Sequence, residues 1–155
     1  MSLKGKANLG RNKIKEILAN YRTVVVLGLS RDPDKDSYKV SAYLKEHGFR
    51  IVPVNPFADE VLGEKSYGSL LDIPSEIQKS IDIVDVFRPA VDVPLIVEQV
   101  VKLRKMYGRP YVVWMQLGIV NRRAADTAKE NGLTAVMDKC IMVEHKRLFY
   151  TMRHI

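Results

Sequence analysis

The side chains of this chain that could do chemistry recur just after short apolar runs. "TVVVL" (23–27) is followed by Gly28, Leu29, Ser30 and Arg31, "RIVPV" (50–54) by Asn55 and Pro56, and "DIVDV" (82–86) by Phe87, Arg88 and Pro89. "YVVWM" (111–115) precedes Gln116, Leu117, Gly118 and Ile119, and "LTAVM" (133–137) precedes Asp138, Lys139 and Cys140. Glycine, hydroxyl, amide and guanidinium groups in those places suit the holding of an anionic ligand. Of the three histidines, His47 and His154 fall outside the set and only His145 comes near it. Glu144 and His145 are adjacent, so on a helix they share no face with which to form a metal or acid–base cluster with Asp138. No catalytic residue and no metal site is expected.

The stretch 23–48 gives the most physics. Gly28 permits a tight exit from its strand without a Cβ penalty. Ser30 offers a hydroxyl and an amide, and Ser37 stands where the following helix should begin. Amides in that first turn are expected to point outward unpaired, with the positive end of the helix dipole behind them, which makes a cradle for phosphate. The side chains do not decide it, since Arg31, Lys35 and Lys39 are offset by Asp32, Asp34 and Asp36. A plain capped turn is the bland alternative. A nicotinamide dinucleotide needs G-x-G-x-x-G here and an acid ending the second strand. The chain has "GLSRDP" and Asn55 instead, and it contains no Walker glycine–lysine–serine/threonine. What remains is a nucleotide that is neither a typical dinucleotide nor a triphosphate.

The elements that must place these residues follow from periodicity. Ile14, Ile17, Leu18 and Tyr21 make one helical stripe over 11–21. The run 23–27 is apolar throughout, as in a parallel strand covered on both faces. A helix is predicted over 37–47, with Val40, Tyr43 and Leu44 inward and Gly48 as its stop. Pro53 limits how far the second strand can pair. A short element at 64–67 and a brief helix near 75–80 come next. Val93, Ile96, Val97 and Val100 mark a helix over 93–107, and Asn121 can cap another that Gly132 ends. Strands alternating with helices predict a single α/β domain, a Rossmann-like doubly wound parallel sheet. Ligands of such sheets settle beyond the carboxyl ends of the strands, where the residues named above gather. Residues 23–145 are read as this domain, 1–22 as a basic segment and helix packing on it, and 146–155 as a tail. Trp114 is expected in the core, and Asp85 is either a paired buried carboxyl or one on an open face.

Composition sets the limits. The chain has 155 residues, 46% of them hydrophobic, enough for a real core. Its formal charge is +7, but the basic residues are spread: Lys4, Lys6, Arg11, Lys13 and Lys15, then Lys102, Arg104, Lys105 and Arg109, then Arg122 and Arg123. Nucleic acid is therefore disfavoured against a small phosphorylated ligand. No apolar run is long enough for a membrane span, and the start has no apolar signal core. The single cysteine forbids an internal disulfide and fits the reducing cytoplasm.

The segments "VVVLGLSRDPDKDSYKVSAYLKEHGFRIVPVNP", "VLGEKSYGSL", "DIVDVFRPAVDVP", "VVWMQLGIVN" and "VMDKCIMVEH", in order over about 23–145, resemble the small stand-alone CoA-binding proteins. The domain is also similar to the CoA-binding domain of the succinyl-CoA synthetase alpha subunit and of ADP-forming acyl-CoA synthetases. The resemblance implies coenzyme A or acyl-CoA as ligand. It implies that the Gly28–Arg31 turn binds the diphosphate, that Val54, Asn55 and Pro56 border the adenosine, and that Lys35 or Arg31 meets the ribose 3′-phosphate. Phe87 and Arg88 would line the crevice, and the turn from Gln116 through Gly118 to Ile119 would face the pantetheine arm. The synthetases' histidine and further domains are not carried over, so a CoA-binding protein without catalysis is expected, acting as a carrier, sensor or partner subunit. An enzyme using an acyl-CoA or NADP-like cofactor is the alternative. A protein partner or a homo-oligomer stays open. Cys140 is read as a buried structural thiol, the sharper alternative being thiol exchange with the CoA sulfur as a mixed disulfide.

Overall fold

The computed structural model describes residues 10–150; Lys4, Lys6 and His154 lie outside them. Helix α1 (Arg11–Asn20) leads into β1 (Thr23–Leu27), α2 (Asp36–Glu46) and β2 (Arg50–Val54). A small hairpin, β3 (Glu60–Val61) with β4 (Glu64–Lys65), and a short helix α3 (Ser75–Gln78) precede β5 (Ile83–Val86). Then come α4 (Val93–Tyr107), β6 (Val112–Met115), α5 (Arg122–Glu130), β7 (Thr134–Val136) and α6 (Ile141–His145), which runs on into a π-helical turn, Lys146–Tyr150.

Five strands form one parallel sheet in the order β2-β1-β5-β6-β7. The order reverses between β1 and β5, and there the connecting loops part to leave room for a ligand. The 64–67 stretch, expected as a short element, goes further than its hairpin. Tyr67 bridges Val54 in parallel, donating to the Pro53 carbonyl while the Asn55 amide donates to Tyr67. Pro53 does not weaken the sheet. Its missing N–H lies on this outer side, and Gly28 still donates to the Val54 carbonyl.

Alternation along the strands divides the interior into two layers. Val25, Val52, Val84, Val86, Val113 and Met115 pack with α4 and α5. On the opposite face Val24, Val26, Ile51, Ile83, Val112 and Trp114 meet α1, α2 and α6. The N-terminal stripe reads correctly: Ile14, Ile17 and Leu18 are buried. Leu148, in the segment read as a tail, is also buried in that layer. Trp114 is fully buried, with its indole N–H donating to the Lys139 carbonyl at 2.7 Å. The Asn121 cap forms as expected, its side chain accepting from the Ala124 amide at 2.9 Å. Among the described residues no helix is long and apolar enough to cross a membrane.

Candidate functional site

Gly28 leaves β1 at φ +86, a left-handed turn that favours glycine. The reason is also local crowding. A β-carbon there would overlap the main-chain oxygen of Phe87 and lie 3.3 Å from Cδ of Arg88. The exits of β1 and β5 are thus pressed together, which brings Arg88 beside the first loop.

The phosphate cradle differs from the sequence expectation at both of its serines. Helix α2 begins at Asp36 rather than Ser37, and no side chain caps it. Ser37 lies inside the first turn, where its hydroxyl accepts from the Ser30 amide at 2.9 Å. The Ser30 hydroxyl in turn accepts from the Asp32 amide. Ser30's amide is therefore taken, while those of Arg31, Asp36 and Ser37 make no hydrogen bond among the described residues. The turn keeps donors for an anion, though fewer than an open loop would offer. Leu29 is fully buried and can face a ligand only through its main chain. Arg31 and Lys35 are exposed.

At the end of β2, Asn55 is fully engaged. Its Nδ2 donates to the Leu29 carbonyl at 3.0 Å, and its Oδ1 accepts from the Phe57 amide at 2.8 Å. It ties the first loop to the second. Val54 is buried beside it, while Pro56 is exposed.

A crevice of about 510 Å³ opens over the strand ends. Phe87, Arg88, Gln116, Ile119 and Cys140 line it, so these expected residues do come together. Gly28, Ser30, Asn55 and Pro56 lie outside its lining, on the β1–β2 side. Sequence reading missed Asp36, Lys39, Met142 and Val143, which also form its walls. The helical position of Asp36 and Lys39, straight after the first loop, was the available signal. Met142 and Val143 gave none, because α6 lies beyond the last strand. The Gln116–Ile119 turn is held from outside: Gly118, at φ +86, donates its amide to Asp138 Oδ1 at 2.7 Å, so that amide is not available to a ligand. Cys140 is half-buried in the crevice wall, not the fully buried thiol expected.

Charge enters from two sides. Arg88 pairs with Asp92 at 2.9 Å and stays half-exposed. Beneath the crevice, Asp85 is fully buried and accepts from Gln116 Nε2 at 2.6 Å. Burial lifts its carboxyl from 3.8 to about 7, only partly opposed by that hydrogen bond. Glu144 and His145 form no metal site: Glu144 pairs with Arg147, and His145 Nδ1 meets the Tyr43 hydroxyl at 2.8 Å. No cluster able to hold a metal ion occurs among the described residues.

A five-stranded parallel sheet with a crevice at its switch point and a glycine turn feeding a helix defines a Rossmann-like nucleotide-binding module. Residues 22–146 match the CoA binding domain, and the chain belongs to that family, whose ligand is coenzyme A. It is 41% identical over 138 residues to the uncharacterized protein YneT of Bacillus subtilis, covering 89% of this chain and 96% of that one. A hypothetical protein from Pyrococcus horikoshii OT3 shares the fold with a TM-score of 0.80 and 41% identity, over 90% of this chain and 92% of that one. The "Acetate--CoA ligase [ADP-forming] II" of Archaeoglobus fulgidus is 44% identical over 62 residues, 39% of this chain but only 9% of the ligase.

Proposed function

We propose that the chain binds coenzyme A or an acyl-CoA across the reversal point of the sheet, without chemistry of its own. The diphosphate would lie at the Gly28–Arg31 turn, against the Arg31, Asp36 and Ser37 amides and the dipole of α2. Pro56 and the main chain at Val54 would border the adenosine, and Arg31 or Lys35 would reach the ribose 3′-phosphate. The pantetheine arm would run into the crevice, past Phe87 and Arg88 toward Gln116, Ile119 and Cys140.

The observation that carries this reading is the crevice itself. Its walls combine apolar Phe87, Ile119 and Met142 with polar Gln116, Arg88 and Cys140, which suits a flexible arm bearing amides and a thiol. The match to the Archaeoglobus fulgidus acetate–CoA ligase covers only 9% of that enzyme, which supports a binding module rather than the whole ligase. A carrier, sensor or partner subunit is the role that follows.

A thermal-shift panel of CoA, acetyl-CoA, NAD, NADP, ATP and AMP tests it. CoA at one hundred times its dissociation constant should add about 2.7 kcal/mol of stability. Stabilisation by a nicotinamide cofactor and not by CoA would overturn the reading. Turnover of an acyl-CoA by the isolated chain would overturn the non-enzymic part alone.

A further inference from the structure

Asp85 sits in the middle strand of the sheet, in register with Val26 on one side and Trp114 on the other. It is fully buried. Gln116 Nε2 is its hydrogen-bond partner, at 2.6 Å, and Oδ2 has none among the described residues. Its strand neighbours Ile83, Val84 and Val86 are all aliphatic, and an aliphatic residue would fill this position without desolvating a carboxyl. A buried polar group left half-satisfied calls for an explanation beyond packing.

The chemistry of the bond supplies one. In the structure Asp85 Oδ1 accepts from Gln116 Nε2, and once the carboxyl is ionised, above about pH 7, it can only accept, so it can meet only the –NH2 end of the glutamine amide. With Nε2 held by Asp85, Oε1 is turned the other way. Gln116 lines the crevice, and its Oε1 accepts no hydrogen bond among the described residues. We propose that Asp85 is a positioning residue: it orients the Gln116 amide so that its carbonyl oxygen is presented to the crevice, selecting for an N–H donor on the ligand's arm. Resting on the CoA reading above, it assigns that donor to a pantetheine amide. Without Asp85 the Gln116 amide is free to rotate, and the site no longer distinguishes a donor from an acceptor.

The test compares CoA with adenosine 3′,5′-bisphosphate, which carries the nucleotide and lacks the arm. Calorimetric titrations are run above the Asp85 titration, at about pH 8, on the wild type, Asp85→Asn, Asp85→Leu and Gln116→Leu, with folding checked by circular dichroism. Asp85→Asn can still turn its carbonyl oxygen to Nε2, at the cost of a second orientation with its –NH2 on Oε1, and should hold CoA within about threefold of wild type. Asp85→Leu and Gln116→Leu should each weaken CoA by about tenfold, with the bisphosphate unchanged. Should Asp85→Leu fail to fold, Asp85→Ser replaces it, its hydroxyl too short to reach Gln116. The Gln116 side-chain amide resonances, read without ligand, should move in Asp85→Leu or Asp85→Ser and stay near their wild-type positions in Asp85→Asn. CoA binding left undiminished in Asp85→Leu or Asp85→Ser, or equal losses for both ligands, overturns the proposal and leaves the CoA reading standing. A wild type that binds neither ligand overturns both.

Discussion

Gly28 and Phe87 are so close that a β-carbon on the first would run into the main-chain oxygen of the second. The clash is with backbone, and the φ of +86 adds a left-handed penalty for any other residue. Gly28→Ala should therefore destabilise the fold by about 2 kcal/mol or more. For a chain of this size that lowers the melting temperature by roughly 4–8 °C, measurable by calorimetry. An unchanged melting point would mean the two strand ends part easily.

Asn55 sits where a dinucleotide-binding sheet carries an acid, but its amide bridges two loops. Asn55→Asp replaces the donor to the Leu29 carbonyl with an oxygen that repels it. The expected loss is about 1–3 kcal/mol, with no gain of affinity for NAD. Urea unfolding and a nicotinamide titration check the two halves separately.

Arg88 should matter to ligand and little to fold. Its pair with Asp92 is half-exposed, and such pairs contribute about 1 kcal/mol or less. Arg88→Ala should weaken CoA at least about tenfold through loss of a charge-assisted contact. Its melting temperature without ligand should change by only a few degrees.

The buried carboxyl makes stability depend on pH in a stated direction. The folded chain keeps the Asp85 proton up to about pH 7, whereas a free aspartate releases it near 3.8. Between those values the folded state binds more protons, so its stability falls as pH rises, and the loss is complete above the folded value. Relative to Asp85→Asn, the wild type should lose on the order of 4 kcal/mol across that window and nothing further above it. Parallel denaturation curves at several pH values give the difference directly. A flat difference would mean the carboxyl is not desolvated.

Cys140 lines the crevice that the arm would enter. Saturating CoA should slow its alkylation by iodoacetamide in proportion to occupancy, while adenosine 3′,5′-bisphosphate should not. Incubation with oxidised CoA distinguishes a wall residue from a reactive one. A mass gain of one CoA, reversed by reductant, means the thiolate has displaced one CoA thiol from the disulfide.

The strands and long helices were legible because each apolar run or stripe lies within a few consecutive residues. The expected walls of the crevice were legible for a related reason: residues after parallel strands share one edge of the sheet. Relations across the sheet were not. Asp85 and Gln116 are 31 positions apart and meet only because β5 lies beside β6 with both side chains on the same face. Nothing in "DIVDV" reveals that pairing. Likewise the hydroxyl of Ser37 reads as a cap for its own helix, and only the loop's path shows it turned back to the Ser30 amide.

The outer margin of the sheet carries a last consequence. Along β2, Pro53 has no hydrogen to give, and Tyr67 already occupies its carbonyl. A foreign strand approaching from that flank would find the ladder interrupted at Pro53, which disfavours edge-to-edge pairing there. Among the described residues the opposite edge of the five-stranded sheet is β7, only three residues long, which offers a short ladder to a second copy.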